Sequence, residues 1–311
     1  MENKEMRAVY CDTLIGLAAK NPAIMVVEAD LMRASGTMPF KTAYPERAVD
    51  VGVAEANLVG VSAGLSVVGK IPFAATFGCF ASRRVFDQFF ISANYAGLNV
   101  KLVGTDPGIS AAFNGGTHMP FEDIGMMKLI PGLTILEPSD PVSLKALVEA
   151  CAAHYGCTYM RLHRKPIAPL YPESETFELG TGKVLRDGTD VTIIALGAIM
   201  VPEAIKAAQA LSEKGVSAAV IDMHTVKPLD EDLVLAYAAK TKGIITAENH
   251  QASGGLGASV ANLLAIHHPT PMAMVGVQDQ FGQVATQQWL QQHYRLTAEE
   301  IERQALALLA K

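Results

Sequence analysis

The fold is decided by the stretch Ala48-Val49-Asp50-Val51-Gly52-Val53-Ala54-Glu55-Ala56-Asn57-Leu58-Val59-Gly60-Val61-Ser62-Ala63-Gly64-Leu65. Its β-branched start predicts a short strand, and the apolar segment after Gly52 predicts a buried helix over about 55–68. Glu55 is the exception, because it places a carboxyl group where the strand passes into the apolar helix. Burying a carboxylate there is costly unless it is protonated or paired. A glutamate at a helix N-terminus also complements the helix dipole, so Glu55 alone does not decide between a structural and a catalytic role.

Composition and charge narrow the class of protein. The chain has 311 residues, of which 50% are hydrophobic and 18% charged, which is typical of a well-buried globular protein of about two domains. A net charge of −6 argues against a nucleic-acid-binding surface. No uninterrupted apolar run has membrane-spanning length, and the start Met1-Glu2-Asn3-Lys4-Glu5 does not resemble a signal peptide. We therefore expect a cytoplasmic protein that binds neither nucleic acid nor membrane, with reduced cysteines.

Strands and helices alternate through the first half of the chain. The predicted strands span about 24–28, 49–53, 71–76, 100–105, 133–136 and 157–162, and the predicted helices about 6–20, 55–68, 80–95 and 141–154. These strands are apolar on both faces, which is typical of a parallel sheet covered by helices on both sides. The expected fold class is α/β, with a doubly wound parallel sheet.

A proline-bearing stretch separates this domain from a second one. It contains Pro166, Pro169 and Pro172, after which the alternation of strand and helix begins again. Strands are predicted at about 191–196, 217–222 and 243–247, a helix at about 202–214, and a final helix after the capping box Thr297–Glu300. We place the first domain at 1–165, a linker at 166–182, and a smaller α/β domain at 183–311.

Several short motifs do not fit their structural context. Gly60-Val-Ser62-Ala-Gly64 matches a nucleophile elbow, but Ser62 falls inside the predicted helix rather than at a strand end. Gly64 to Lys70 resembles a phosphate-binding loop, but Ile71 replaces the required hydroxyl residue. No histidine or cysteine spacing matches a metal site, so we expect no metal ion to be held by this chain alone.

The remaining candidates lie where predicted strands end, which is the edge at which open α/β sheets bind ligands. They are Asp30, Glu55, Phe77, Phe80, Asp106 and the loop Asn114-Gly115-Gly116-Thr117-His118. Each has a plain structural explanation when taken singly, since phenylalanines usually pack in cores and a loop histidine usually satisfies hydrogen bonds. Together they offer an acid, aromatic faces and an imidazole, which suits a flat heteroaromatic ligand with a protonatable nitrogen.

In these segments the sequence resembles the thiamine-diphosphate enzymes of the transketolase group. The similar segments are Glu28-Ala-Asp30-Leu31, Asp50-Val-Gly-Val-Ala-Glu55-Ala-Asn57, Thr76-Phe77-Gly-Cys-Phe80-Ala-Ser82, Gly115-Gly-Thr117-His118-Met-Pro120 and Leu136-Glu-Pro138-Ser-Asp140. The resemblance covers the whole chain, with 1–165 similar to the pyrimidine-binding domain and 183–311, more weakly, to the C-terminal domain.

The resemblance implies roles for individual residues. It implies that Glu55 and His118 are catalytic, Glu55 by activating the aminopyrimidine of thiamine diphosphate as a protonated carboxyl group and His118 by assisting proton transfer. The implied cofactor contacts are Asp30, Leu31, Glu55, Phe77, Phe80 and Arg83, and the implied substrate contacts are Arg7, Asp106, Asn114, His118 and Arg164. Arg7 and Arg164 are equally compatible with solvated positions at loop edges.

The resemblance also implies a partner. The family's diphosphate-binding half, with its Gly-Asp-Gly motif, is absent from this sequence. The chain therefore resembles the carboxyl-terminal subunit of a split transketolase, active only with a chain that holds the diphosphate and Mg²⁺ or Ca²⁺. We expect an α2β2 assembly built on a homodimer of this chain, acting on sugar phosphates.

Three departures from the family pattern leave the sugars open. Asn114 stands where transketolases carry an aspartate, Asp106 where they carry a histidine, and Arg83 where they carry an aromatic residue. These changes leave two-carbon ketol transfer as the expected reaction but do not indicate xylulose 5-phosphate as the donor. The alternatives are the β chain of a 2-oxo-acid dehydrogenase, a synthase of the deoxyxylulose-phosphate type, and a non-catalytic binding module.

Overall fold

The computed structural model describes residues 4–310, and these residues form two units. The first unit comprises residues up to 107 together with 126–179, and the second comprises 108–125 together with 180–310. Met1–Asn3 and Lys311 lie outside the described residues. Met1–Asn3 belong to the N-terminal segment that does not resemble a signal peptide. No helix among residues 4–310 is long and apolar enough to cross a membrane.

The first unit alternates strands with helices, as the sequence predicts. Its strands are β1 (Ile24–Glu28), β2 (Ala48–Asp50), β3 (Ile71–Phe77), β4 (Lys101–Thr105), β5 (Thr134–Leu136) and β6 (Thr158–Leu162). Its helices are α1 (Met6–Lys20), α2 (Met32–Ser35), α3 (Met38–Ala43), α4 (Glu55–Val67), α5 (Phe86–Gln88) and α7 (Pro141–Ala153), with α6 (Asp123–Lys128) beginning in the segment 108–125. A short 3-10 turn lies at Pro45–Arg47 in this unit, and two more lie at Gly108–Asn114 and Gly116–His118 in the segment 108–125 of the second unit.

These six strands pair in the order β5-β6-β4-β3-β1-β2, and every pair is parallel. The register sets Val27 of β1 beside Ala74 of β3, and Ala75 beside Val103 of β4. The residues of β1, β4, β5 and β6 are all buried. The predicted doubly wound α/β class is confirmed, and its parallel pairing brings the carboxyl ends of these strands to one edge.

The predicted helix over 80–95 is the main local difference. The segment instead contains two π-helical turns, Phe80–Arg84 and Phe89–Tyr95, separated by α5. A π-helical turn widens the helix by one residue and rotates the side chains that follow it. The adjacent arginines Arg83 and Arg84 both lie in the first of these turns.

The second unit contains the smaller α/β region. Its strands are β7 (Lys183–Arg186), β8 (Val191–Ala195), β9 (Ala218–Asp222), β10 (Thr225–Lys227), β11 (Ile244–Gln251) and β12 (Met272–Val277). Its helices are α8 (Gly197–Glu213), α9 (Glu231–Lys240), α10 (Leu256–His267), α11 (Gln287–His293) and α12 (Ala298–Leu309). The sheet order β12-β11-β8-β9-β7 is parallel except for β7, which pairs antiparallel with β9.

Helix α8 begins five residues earlier than the sequence predicts. The sequence predicts a start at about 202, but the helix starts at Gly197 and contains Pro202. The first turn consists of Ala198 to Val201, all buried. Burial of this apolar turn outweighs the missing hydrogen bond at Pro202.

Glu28, at the carboxyl end of β1, is a buried carboxyl group. Its Oε1 accepts hydrogen bonds from the hydroxyl groups of Ser35 at 2.5 Å and Thr37 at 2.7 Å. Its Oε2 is buried and has no hydrogen-bond partner among the described residues. Burial raises the pKa of Glu28 to about 8, against the opposing effect of the two hydroxyl donors. Glu28 therefore keeps its proton at neutral pH.

We expect the substitution Glu28→Gln to remove a pH dependence of stability. Above a pKa of 4.5 the unfolded carboxyl group loses its proton, whereas the folded one keeps it up to about pH 8. Across that window the contribution of Glu28 to the free energy of unfolding falls by about 1.4 kcal/mol per pH unit, and glutamine has no proton to lose. Urea unfolding of both proteins across the window measures the difference, with exposed Glu149→Gln as the control. Parallel pH profiles for wild type and Glu28→Gln would contradict this.

Candidate active site

Glu55 is the first residue of α4, and its carboxyl group is paired with a cation. Its side chain is 3% exposed, and both carboxylate oxygens lie 2.8 Å from Nη1 of Arg84. The resemblance led us to expect a protonated carboxyl group in an apolar setting, but the structure satisfies the buried group by pairing. Arg84 is 29 residues away in sequence, so the pattern around Glu55 contains no signal for it.

Two phenylalanine rings lie beside this ion pair. The ring centroids of Phe77 and Phe80 are 6.1 Å apart, with the planes tilted by 52°. The guanidinium carbon of Arg84 lies 4.0 Å from the centroid of the Phe80 ring, and that of Arg164 lies 5.3 Å from the centroid of Phe77. Both distances are in the range of cation–π attraction. The two rings are only partly buried, so they are not ordinary core residues.

Arg84 makes these contacts with Glu55 and Phe80, and Arg83, which the resemblance implies as a cofactor contact, precedes it in the chain. The Nε atom of Arg83 is 3.5 Å from the carbonyl oxygen of Cys79, in its own turn. The sequence alone does not single out Arg84, because Arg83 and Arg84 are adjacent and the exact helix geometry decides which of them faces Glu55. Sequence reasoning therefore missed Arg84 as a residue of this site.

Arg164 and Asp106 form a second ion pair at the same edge of the sheet. Nε of Arg164 donates a hydrogen bond to Oδ1 of Asp106 at 2.8 Å, and Nη2 of Arg164 lies 2.7 Å from Oδ2 of the same carboxylate. This two-pronged geometry is specific to arginine. Burial raises the pKa of Asp106, and the charge and hydrogen bonds of Arg164 oppose that rise.

Arg7 joins this second pair through a shared acceptor. Arg7 and Arg164 each donate from Nη1 to the carbonyl oxygen of Ala34, at 3.0 Å. Arg7 also binds Glu5 through Nε at 2.7 Å and Nη2 at 3.1 Å, and the hydrogen bond from Arg7 lowers the pKa of Glu5. Three predicted substrate residues, Arg7, Asp106 and Arg164, thus lie together.

Asp30 and Leu31 lie at the end of β1 and are linked to β2. The backbone N–H of Asp30, which has a φ of 59°, donates to Oδ1 of Asp50 at 2.9 Å, and Gly52 donates to the same oxygen at 3.0 Å. Asp50 therefore ties together the carboxyl ends of two neighbouring strands. Asp30 is exposed and Leu31 half-buried.

Asn114 and His118 lie in the second unit, on the segment 108–125. Asn114 is exposed and His118 half-buried. The Thr117 hydroxyl oxygen lies 2.9 Å from Nδ1 of His118, a contact that can orient the ring. The structure thus groups most predicted residues of the first unit around two ion pairs and carries Asn114 and His118 on a loop of the second unit.

No group of three or more histidine, cysteine, aspartate or glutamate residues within 4–310 is arranged to hold a metal ion. The four cysteines are free and buried. The groups that the first unit places at this edge are the buried carboxyl groups of Glu55 and Asp106, two aromatic rings, and three arginines paired with carboxylates.

Family models match both parts of the chain. Residues 2–168 match the transketolase pyrimidine-binding domain, and residues 180–301 match the transketolase C-terminal domain.

Curated relatives and a solved structure cover nearly all of the chain. The 6-deoxy-6-sulfo-D-fructose transketolase subunit SqwH of Clostridium sp. is 49% identical over 98% of this chain and 94% of that protein. One of the subunits of the apulose-4-phosphate transketolase of Phocaeicola vulgatus is 34% identical over 98% of this chain and 97% of that protein. A solved split-gene transketolase, described as an inactive β4 tetramer, is 40% identical with a TM-score of 0.92, covering 98% of each chain. The chain therefore belongs to the transketolase family, as the carboxyl-terminal subunit of a split, transketolase-type transferase.

Proposed function

We propose that this chain supplies the cofactor-activating half of a ketol-transfer site, with Glu55 as the catalytic carboxyl group. The observation that carries the proposal is a carboxyl group 3% exposed at a helix N-terminus, with an arginine and a phenyl ring beside it. Membership of the transketolase family implies dependence on thiamine diphosphate. The reaction is the transfer of a two-carbon ketol unit from a ketose to an aldose.

The residues of the first unit fit the aminopyrimidine of that cofactor. When bound, thiamine diphosphate supplies a nucleophilic carbon and an electron sink. Glu55 holds a proton at the ring nitrogen, and Phe77 and Phe80 offer aromatic faces for a flat ring. Arg84 contacts both the carboxyl group of Glu55 and the Phe80 ring, so its side chain must move when the aminopyrimidine ring binds. Asp30, Leu31 and Arg83 remain proposed cofactor contacts.

The donor is a ketose with an anionic terminal group. Arg7 and Arg164 converge on one carbonyl oxygen and carry the positive charge that a phosphate or sulfonate requires. Two relatives are named for anionic sugars, one for a sulfo-fructose and the other for apulose 4-phosphate. Asp106 positions Arg164, Asn114 contacts a substrate hydroxyl group, and His118 binds the donor's oxygens and moves a proton.

The diphosphate-binding half of the site comes from another chain. We propose that the partner holds the diphosphate with Mg²⁺ or Ca²⁺, and that two such chains join a homodimer of this one in an α2β2 assembly. The absence of a Gly-Asp-Gly motif from the sequence supports this division. The inactive tetramer named for the solved relative supports self-association of this kind of chain. The proposed domain limits are 1–165 and 183–311, with a linker between them.

The first test measures ketol transfer by this chain co-expressed with a diphosphate-binding partner chain, with thiamine diphosphate and Mg²⁺. We expect activity to need both chains and to fall by about 100-fold or more for Glu55→Gln, because an amide cannot exchange a proton with the ring nitrogen. Glu149→Gln, an exposed carboxylate paired with Lys145 on α7, is the matched control. Full activity of this chain alone, or of Glu55→Gln, would overturn the proposal.

The second test separates the two adjacent arginines. Because Arg84 competes with the cofactor ring for Glu55 and for Phe80, Arg84→Met is expected to tighten thiamine diphosphate binding by about tenfold. Arg83→Met is the matched control and is expected to have the smaller effect. Titration calorimetry on the two-chain complex gives both dissociation constants. Weaker binding by Arg84→Met would show that Arg84 supports the cofactor instead of competing with it.

The third test concerns the anionic end of the donor. Arg164→Lys keeps the charge facing Asp106 but loses the two-pronged geometry, so the KM for anionic ketoses is expected to rise by about tenfold. A panel of fructose 6-phosphate, xylulose 5-phosphate and 6-deoxy-6-sulfofructose, compared with uncharged erythrulose, measures this. An equal rise in KM for erythrulose would assign Arg164 to a role other than anion recognition.

A further inference from the structure

The segment 108–125, which carries Asn114 and His118, is held by the end of strand β11. This segment falls within the part of the sequence that matches the pyrimidine-binding domain, yet it packs into the second unit. Three consecutive residues of β11, Asn249, His250 and Gln251, each make a hydrogen bond to it. We call these three residues the loop clamp.

Asn249 holds the start of the segment. Its side chain is 1% exposed, and its Oδ1 accepts a hydrogen bond from the backbone N–H of Ile109 at 3.0 Å. Gly108 lies directly against it, because a Cβ added there would lie 2.2 Å from the same oxygen. Gly108 also has a φ of +51°, which favours glycine. This close approach leaves no room for the segment to shift towards β11.

His250 holds the end of the segment in one tautomer. Its buried ring places Nδ1 2.8 Å from the carbonyl oxygen of Gln251, so this nitrogen carries the proton. The other nitrogen, Nε2, accepts a hydrogen bond from the backbone N–H of Gly125 at 3.3 Å. Asp123 and Glu248 lie 3.9 and 3.8 Å from the ring. The imidazole therefore acts as a bridge between β11 and the segment.

Gln251 and its neighbours hold the residues after His118. The backbone N–H of Gln251 donates to the carbonyl oxygen of Phe121 at 2.8 Å. The Phe121 ring packs edge-on against Tyr294 at 5.3 Å between centroids. A Cβ added at Gly116 would lie 2.1 Å from the carbonyl oxygen of Gly282, so the centre of the segment is also in close contact with the second unit.

We propose that the loop clamp positions His118 for the ketol-transfer reaction, which makes Asn249 and His250 positioning residues supplied by the C-terminal domain. The inference rests on the proposed function, because it gives His118 a chemical role. The contacts bracket His118 in sequence, with Ile109 before it and Phe121 and Gly125 after it. A catalytic group displaced by about 1 Å can lose on the order of 100-fold in rate, so a glycine-rich loop needs such fixed points.

The test compares Asn249→Leu, which removes the acceptor at similar size, with Asn249→Asp, which keeps it. In the two-chain complex, Asn249→Leu is expected to lower kcat by about tenfold or more without changing the dissociation constant of thiamine diphosphate. Asn249→Asp is expected to recover most of that loss. In a protein that already carries His118→Ala, Asn249→Leu is expected to lower kcat little further, because both substitutions remove the contribution of His118.

Gly108→Ala disrupts the same contact from the side of the segment, and it keeps the proposal testable if Asn249→Leu fails to fold. It is expected to reproduce the lower kcat and the unchanged cofactor affinity. The proposal would be overturned if the loss of kcat caused by either variant added fully to the loss caused by His118→Ala. It would also be overturned if either variant lost cofactor affinity to the same extent as kcat.

Hydrogen exchange separates this proposal from the proposed function, since it needs no activity. In Asn249→Leu, amide exchange in 108–125 is expected to accelerate, while that in α4 and β3 stays unchanged. If the wild-type complex transfers no ketol unit, but Asn249→Leu still accelerates amide exchange in 108–125, the proposed function fails and the loop clamp remains a structural contact. If protection in 108–125 is unchanged, the clamp itself is wrong.

Discussion

The parallel pairing of β1, β3, β4 and β6 is the constraint on which the first unit depends. Parallel strands end at one edge, so the residues that follow them are brought close together however far apart they lie in sequence. This is how Phe77, the last residue of β3, comes to lie beside Arg164, which follows β6. It is also how Asp106, after β4, becomes the partner of Arg164. The site of the first unit is thus a consequence of the sheet order.

The pairing of Glu55 with Arg84 shows how a buried carboxyl group is satisfied in this fold. A carboxylate at 3% exposure needs a cation or a proton, and Arg84 supplies the cation from a turn on a different element. Because Arg84 also lies over Phe80, one side chain covers both features that a flat heterocycle would use. The carboxyl group of Glu55 and the Phe80 ring therefore share one arginine.

The second unit does more than carry a separate sheet. Asn249, His250 and Gln251 in β11 bind the backbone at three points of the segment 108–125. Close contacts between glycines, such as Gly116 against Gly282, add to these hydrogen bonds. A histidine on a glycine-rich loop is well placed only if the backbone on both sides of it is held, and the polar end of a buried strand does this at several points.

The sequence by itself determined the α/β class, the parallel strands and the family. A strand that is apolar on both faces, such as Ile24–Glu28, leaves few other folds. Segments such as Gly115-Gly-Thr117-His118 are short and local enough to be recognised without a structure. It did not predict the π-helical turns in 80–95 or the early start of α8, because both depend on packing that no local pattern records. Only the tertiary structure decided that Arg84, and not Arg83, pairs with Glu55, that Arg7 and Arg164 share Ala34, and that β11 holds the His118 loop. These contacts join residues that are distant in the chain, and their identity depends on helix rotation and strand order rather than on spacing.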